Sequence, residues 1–119
     1  MTYDSGFISI FFYSPFIFER SFMAKESAFQ AKLIKDLKVI FPGCLVLKND
    51  PNYIQGVPDL LILYKDKWAA LECKRSKNAS HRPNQEYYIS VLDEMSFAAF
   101  VYPENREDIL DELQRSFEV

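Results

Sequence analysis

The stretch from Gln55 to Arg75 constrains this chain more than any other. It reads Gln-Gly-Val-Pro-Asp-Leu-Leu-Ile-Leu-Tyr-Lys-Asp-Lys-Trp-Ala-Ala-Leu-Glu-Cys-Lys-Arg. Two short apolar runs, Leu60–Tyr64 and Trp68–Leu71, flank the polar tripeptide Lys65-Asp66-Lys67. This predicts two antiparallel strands joined by a tight hairpin. Asp59 opens the first strand after Val57-Pro58, and Glu72 and Lys74 close the second. A turn at Asp66 brings the open ends together and puts Asp59 within a few residues of register with Glu72. Side chains alternate along a strand, so Glu72 and Lys74 share a face, about 7 Å apart, while Leu71 and Cys73 face the other way. Two carboxylates and an ammonium converge beside an apolar core.

That trio has a chemical logic. Carboxylates forced together repel, and one stays protonated unless a cation joins them. Oxygen ligands with room for water suit Mg²⁺ or Mn²⁺, which contact substrate phosphate. Such a metal lowers the pKa of bound water and neutralises charge building on a phosphodiester. The pattern points to metal-assisted hydrolysis of a nucleic-acid backbone, with Lys74 beside the metal to orient water or steady the phosphate.

At these residues the chain resembles the PD-(D/E)xK nuclease superfamily, with Pro58-Asp59 as one half of the motif and Glu72-Cys73-Lys74 as the other. The wider context, Tyr53-Ile54-Gln55-Gly56-Val57-Pro58-Asp59-Leu60 and then Glu72-Cys73-Lys74-Arg75, is similar to the VRR-NUC domain. That family includes small stand-alone phage and bacterial proteins related to Holliday-junction resolvases. The resemblance implies a restriction-endonuclease-like α/β core in the order αβββαβ(α), with a mixed central sheet flanked by helices. It implies Mg²⁺, with Mn²⁺ substituting, held by Asp59, Glu72 and the Cys73 carbonyl, and no small-molecule cofactor. It also implies branched or duplex DNA as substrate, and a homodimer whose two sites suit a four-way junction.

The rest of the chain is consistent with one such domain over residues 23–119. Residues 24–41 carry a helical stripe of Phe29, Leu33, Leu37 and Ile40, ended by Pro42-Gly43. Glu26 lies on that stripe and needs a partner or a metal if buried. The resemblance puts it at the metal site; the residues alone also allow a first-turn glutamate favoured by the helix dipole. Cys44–Leu47 reads as a short buried strand leading into a polar loop. In that loop Lys48, Asn49, Tyr53 and Gln55 are candidates to grip phosphate or stack on a base, and Gly56 permits a tight turn. A basic loop follows Lys74, with Arg75, Lys77 and Arg82 as further nucleic-acid contacts. Pro83 opens a helix to about Met95, with Gln85, Tyr88 or Ile89, Leu92 and Met95 on one face. The resembled family has a glutamine there that faces the active site, though it tends to place Ser or Thr where Arg82 stands before the proline. His81, the single histidine, reads as an exposed loop residue. Phe97–Tyr102 is a strand, parallel to the one ending at Lys74 because a helix crosses between them. Pro103-Glu104-Asn105 leads into a last helix with Ile109, Leu110, Leu113 and Phe117 inward.

Residues 1–22 differ from the rest. They hold six of the eleven phenylalanines, and the charges there are Asp4, Glu19 and Arg20. No secretory pattern is present, and the apolar run is broken by Ser14-Pro15 and too short for a bilayer. Met23 reads as a plausible start, with residues 1–22 an upstream over-extension; the functional alternative is an added strand or dimerisation arm. Cys44 and Cys73 form no framework, which fits a reduced cytoplasmic setting without a membrane.

A net charge of −3 looks wrong for a DNA-binding protein until it is divided along the chain. Residues 23–82 hold eleven Lys and Arg against six Asp and Glu, whereas residues 83–119 hold two Arg against nine acids. The basic half carries the site, and the acidic helices belong away from phosphate. Three rival readings stay open: an exonuclease of the same superfamily, a non-catalytic DNA-binding module of this fold, and an interaction protein that uses the aromatic N-terminus and binds no nucleic acid.

Overall fold

The computed structural model describes residues 15–118, with side chains for residue 21 and residues 23–118. Helix α1 (Pro15–Ile40) leads to strands β1 (Leu45–Lys48), β2 (Leu60–Tyr64) and β3 (Lys67–Cys73). Helix α2 (Pro83–Met95), strand β4 (Phe97–Val101) and helix α3 (Arg106–Phe117) follow. The strands form one mixed sheet in the order β1-β2-β3-β4, antiparallel except for the β3–β4 pair. The chain is thus a mixed α/β fold, with three helices and four strands among the described residues.

The hairpin closes as its sequence demands. Tyr64 pairs with Lys67 across a two-residue turn in which Lys65 takes φ 58°. The parallel β3–β4 pair follows from α2, since a helical crossover returns the chain in the same direction.

One face of the sheet carries the core. Leu60 and Ile62 of β2 and Ala69, Leu71 and Cys73 of β3 pack with Leu33, Leu37 and Phe41 near one side. From α3 come Ile109, Leu110, Leu113 and Phe117. Burying a leucine or phenylalanine is worth about 1.5–3 kcal/mol each, so this cluster dominates stability. The rings of Phe41, Tyr64 and Phe117 meet with centroids 5.1–5.6 Å apart, closing the core at the turn end of the hairpin. The open end of the hairpin is left for polar groups.

The other face is covered by α2 over β3 and β4. Ala70 and Ala98 are buried there, and their small side chains let the helix approach. The free edge of β4 is closed by side chains. Asp93 accepts from the Ala98 N–H (3.0 Å), and Asn105 bonds both the Phe100 carbonyl and the Tyr102 N–H.

Four expectations need correction. Helix α1 begins at Pro15, nine residues before the expected start at Ala24; the aromatic stretch over residues 1–14 lies outside the described residues. The buried stripe of α1 continues through Phe41, 3% exposed, and not through Ile40, 36% exposed, because the i to i+4 step keeps Phe41 under Leu37. β1 is not buried: it is an edge strand whose Leu45 and Leu47 lie on the same sheet face as α2 but beyond β3 and β4, which that helix covers, and they are 60% and 46% exposed. Met95 projects from the end of α2 and is 69% exposed, so it does not share the sheet-facing side with Leu92. Among the described residues no helix is long and apolar enough to cross a membrane.

Candidate active site

The antiparallel register sets the site. Leu60 pairs with Leu71, so the next step outward puts Asp59 opposite Glu72. Each carboxylate is bonded to the other's strand: Glu72 Oε1 accepts from the Asp59 N–H at 3.1 Å, and Asp59 Oδ2 accepts from the Cys73 N–H at 3.0 Å. The pair is therefore locked by main chain that the hairpin itself positions. On the other side of β2, the Asn49 N–H donates to the Asp59 carbonyl at 2.9 Å, and Asn49 Nδ2 donates to the Pro58 carbonyl at 2.7 Å. Asn49, Asp59 and Glu72 stand side by side across three strands.

Lys74 follows β3, its N–H held by the Val101 carbonyl at 2.9 Å. Its Nζ lies 3.9 Å from Glu72 Oε2 and donates to Gln85 Oε1 at 2.9 Å. Gln85 also donates from Nε2 to Glu72 Oε2 at 3.0 Å. One amide thus bridges the acid and the ammonium. The same Gln85 oxygen accepts the Arg82 N–H at 3.1 Å, doing the work of a cap where Arg82 has no side-chain acceptor to offer. Arg82 in the position usually taken by Ser or Thr is thereby explained.

Glu72 and Lys74 are buried, at 4% and 8% exposure. Buried ionised groups occur almost only where they are paired. Burial, then the Asp59 carboxylate, pushes Glu72 up to about 8. Burial raises Asp59 as well, against the Cys73 N–H and the charges of Lys74 and Lys48. Glu26 reaches the same cavity from α1 and is raised by burial and by Asp59; it accepts a bond from the Arg75 N–H. Burial first, then the two carboxylates, holds the Cys73 thiol far above its usual range.

The residues surround a cavity of about 460 Å³, lined by Glu26, Asp59, Glu72, Lys74 and Gln85, and by Met23, Arg75, Ala79, Ser80 and Arg82. All five side chains expected in catalytic roles are in it. Of the expected nucleic-acid contacts, Arg75 and Arg82 line it and Lys77 does not; the Lys77 N–H is instead bonded to Glu104. Lys48 is exposed and does not line the cavity, though its charge acts on Asp59. The Asn49 amide is committed to Pro58, so Asn49 acts on the position of Asp59. Tyr53 is 82% exposed. Gln55 offers its carbonyl to Asn84 Nδ2 at 3.0 Å. Gly56, at φ 93°, sits flush against Asn84: a Cβ there would lie 2.7 Å from its side chain. Asn84 is thus a positioning residue that the sequence reading missed, since nothing in local spacing shows which loop will dock on the start of α2. His81 is also less exposed than expected. Its ring stacks on Phe100 at 3.8 Å, and its Nδ1 lies 3.5 Å from Glu86.

Among the described residues, no three His, Cys, Asp or Glu side chains gather as a metal-holding group by themselves. Two carboxylates do meet, and the second raises the cost of ionising the first, which is the condition a divalent cation relieves. The donor set fits a hard, oxygen-loving ion held by Asp59 and Glu72 with main-chain and water oxygens completing it. Glu26 lines the same cavity and acts on the pair through its charge. No protein-family model, curated protein or solved structure matches the chain, so the functional reading rests on this geometry and on the motif.

Proposed function

We propose that this chain is a metal-dependent nuclease that hydrolyses DNA phosphodiester bonds, a structure-selective endonuclease of the PD-(D/E)xK, VRR-NUC type with a restriction-endonuclease-like core. The observation that carries the reading is the Asp59–Glu72 pair, set in register on the hairpin and joined to Lys74 by the Gln85 amide. A solvated Glu-x-Lys pair would have no reason to be buried, bridged and set beside a second carboxylate.

Asp59 and Glu72, with the Cys73 carbonyl, would hold Mg²⁺ or Mn²⁺; bound there, the ion lowers the pKa of a water and neutralises charge on the phosphate. The chain's own groups do the rest. Lys74, held by Gln85 and Glu72, presents a cation at the cavity wall. Arg75 and Arg82 line the cavity and draw the phosphate in. Asn49 and the Cys73 N–H keep Asp59 from turning away. The acidic α2 and α3 leave the basic segment to face the backbone, and binding falls with salt.

Labelled four-way junction, flap, duplex and single-stranded DNA, incubated with Mg²⁺, Mn²⁺ or EDTA, test the reading. Metal-dependent internal cuts in branched DNA support it. Degradation from free ends makes the chain an exonuclease, and binding without cutting makes it a non-catalytic module.

A further inference from the structure

The loop between β1 and β2 encloses a second cavity of about 380 Å³, lined by Asn49, Asp50, Tyr53, Ile54 and Val57. It adjoins the carboxylate site through Asn49, whose main chain pairs with that of Asp59. That volume lies in the range of pockets for small organic groups.

Its chemistry is unlike that of its neighbour. Tyr53 is 82% exposed and Ile54 41%, so a ring and a branched aliphatic chain face water on a loop that adds nothing to the core. The loop is nevertheless fastened. Asp50 accepts the Asn52 N–H on its side chain (2.9 Å) and the Tyr53 N–H on its carbonyl (3.2 Å). Asn84 holds the Gln55 carbonyl, and Gly56 is pressed against Asn84. The cavity is therefore shaped before any ligand arrives.

No cation lines it, and the Asp50 carboxylate does, so a phosphate is not its ligand. An aromatic face, aliphatic walls and oxygen acceptors suit a flat heteroaromatic ring with N–H donors on its edge. A nucleobase is such a ring, and stacking on an exposed tyrosine is how single-stranded bases are commonly held. A base inside a duplex has both faces covered and cannot enter.

We propose that this cavity receives an unpaired base, stacked on Tyr53, from the strand whose phosphate enters the Asp59–Glu72 site. The inference rests on the nuclease reading for that strand's destination, and it defines the substrate further. The preferred DNA carries an unpaired nucleotide next to the scissile phosphate, as at a flap, gap or opened junction.

The test is a binding measurement in EDTA, so that no strand is cut. The intact protein is titrated into a flap duplex with 2-aminopurine at the unpaired position beside the branch, and into the same DNA with an abasic residue there. Stacking quenches the 2-aminopurine, and the abasic DNA binds about 5- to 100-fold more weakly. In Tyr53→Ala the ratio between the two DNAs collapses toward one, and in Tyr53→Phe it is kept. Equal affinity for both DNAs, or a ratio unchanged in Tyr53→Ala, overturns the proposal. A Tyr53-dependent ratio in a protein that never cuts DNA removes the nuclease reading alone; cutting without the ratio removes the base pocket alone.

Discussion

Gln85 donates to Glu72 Oε2 at 3.0 Å, and with the oxygen of the same amide it accepts the Lys74 ammonium at 2.9 Å. An acid and a base buried side by side are thus kept from collapsing onto one another, at 3.9 Å instead of direct contact. Gln85→Ala removes that spacer. Groups that orient the residues holding a metal typically cost 10–100-fold when lost, and about that drop in cutting rate is expected. The variant also loses the acceptor for the Arg82 N–H, so its stability falls by about 1 kcal/mol, the usual worth of a cap. Cutting rate against Mg²⁺ concentration and urea unfolding measure the two effects separately.

Glu72 makes the metal-free protein sensitive to pH. In the unfolded chain it ionises near its ordinary 4.5, and in the fold near 8, so between these values the fold holds a proton that the unfolded chain has released. The raised value stabilises the fold fully below the lower figure, and that contribution is lost as pH rises through the higher one. The melting temperature of the metal-free protein is expected to fall across this window. Mg²⁺ should recover it at the alkaline end, where the carboxylate is free to ionise, and do little at the acid end. Glu72→Gln should flatten the profile; a steep fall persisting in that variant would assign the effect elsewhere.

Gly56 and Gly43 separate two costs. Both take positive φ, but a Cβ on Gly43 meets nothing within 4 Å, whereas on Gly56 it meets Asn84 at 2.7 Å. Gly43→Ala is expected to cost about 1–2 kcal/mol of backbone strain. Gly56→Ala adds a clash that pushes the loop off α2, and Asn84→Ala in the same chain should recover part of it. Equal losses at the two glycines would contradict the docking of this loop.

An exposed leucine of β1 and a buried leucine of α1 predict opposite responses. Leu47→Thr, on the exposed edge strand, is expected to change stability by no more than about 0.5 kcal/mol, and Leu33→Ala, fully buried, to cost about 2–5 kcal/mol. Chemical denaturation of the two variants checks this.

What could be read from the sequence follows physical range. The β2–β3 hairpin, the bounds of α2 and the parallel β3–β4 pair come from local periodicity and connection length, and the structure has them where the residues predict. Asp59, Glu72 and Lys74 were legible because a hairpin converts sequence spacing into register. Glu26 and Gln85 entered through their faces on helices and the family resemblance. The exposure of Leu45 and Leu47 was not legible, since an apolar run does not say whether a helix will cover it. Nor was the start of α1, which lies at Pro15 within the aromatic-rich stretch that broke the helical pattern. Asn84 and the His81–Phe100 stack depend on tertiary docking alone.

In the proposed function, Asp59 and Glu72 hold the metal used to cut DNA. The most direct test of that role compares wild type with Asp59→Asn, whose amide oxygen can still accept the Cys73 N–H and keep the fold. Both proteins, shown to melt alike, are given labelled junction and flap DNA with Mg²⁺ or with EDTA. Wild type is expected to cut with Mg²⁺, with no cutting in EDTA or by Asp59→Asn. Cutting that survives in Asp59→Asn or in EDTA would contradict that role.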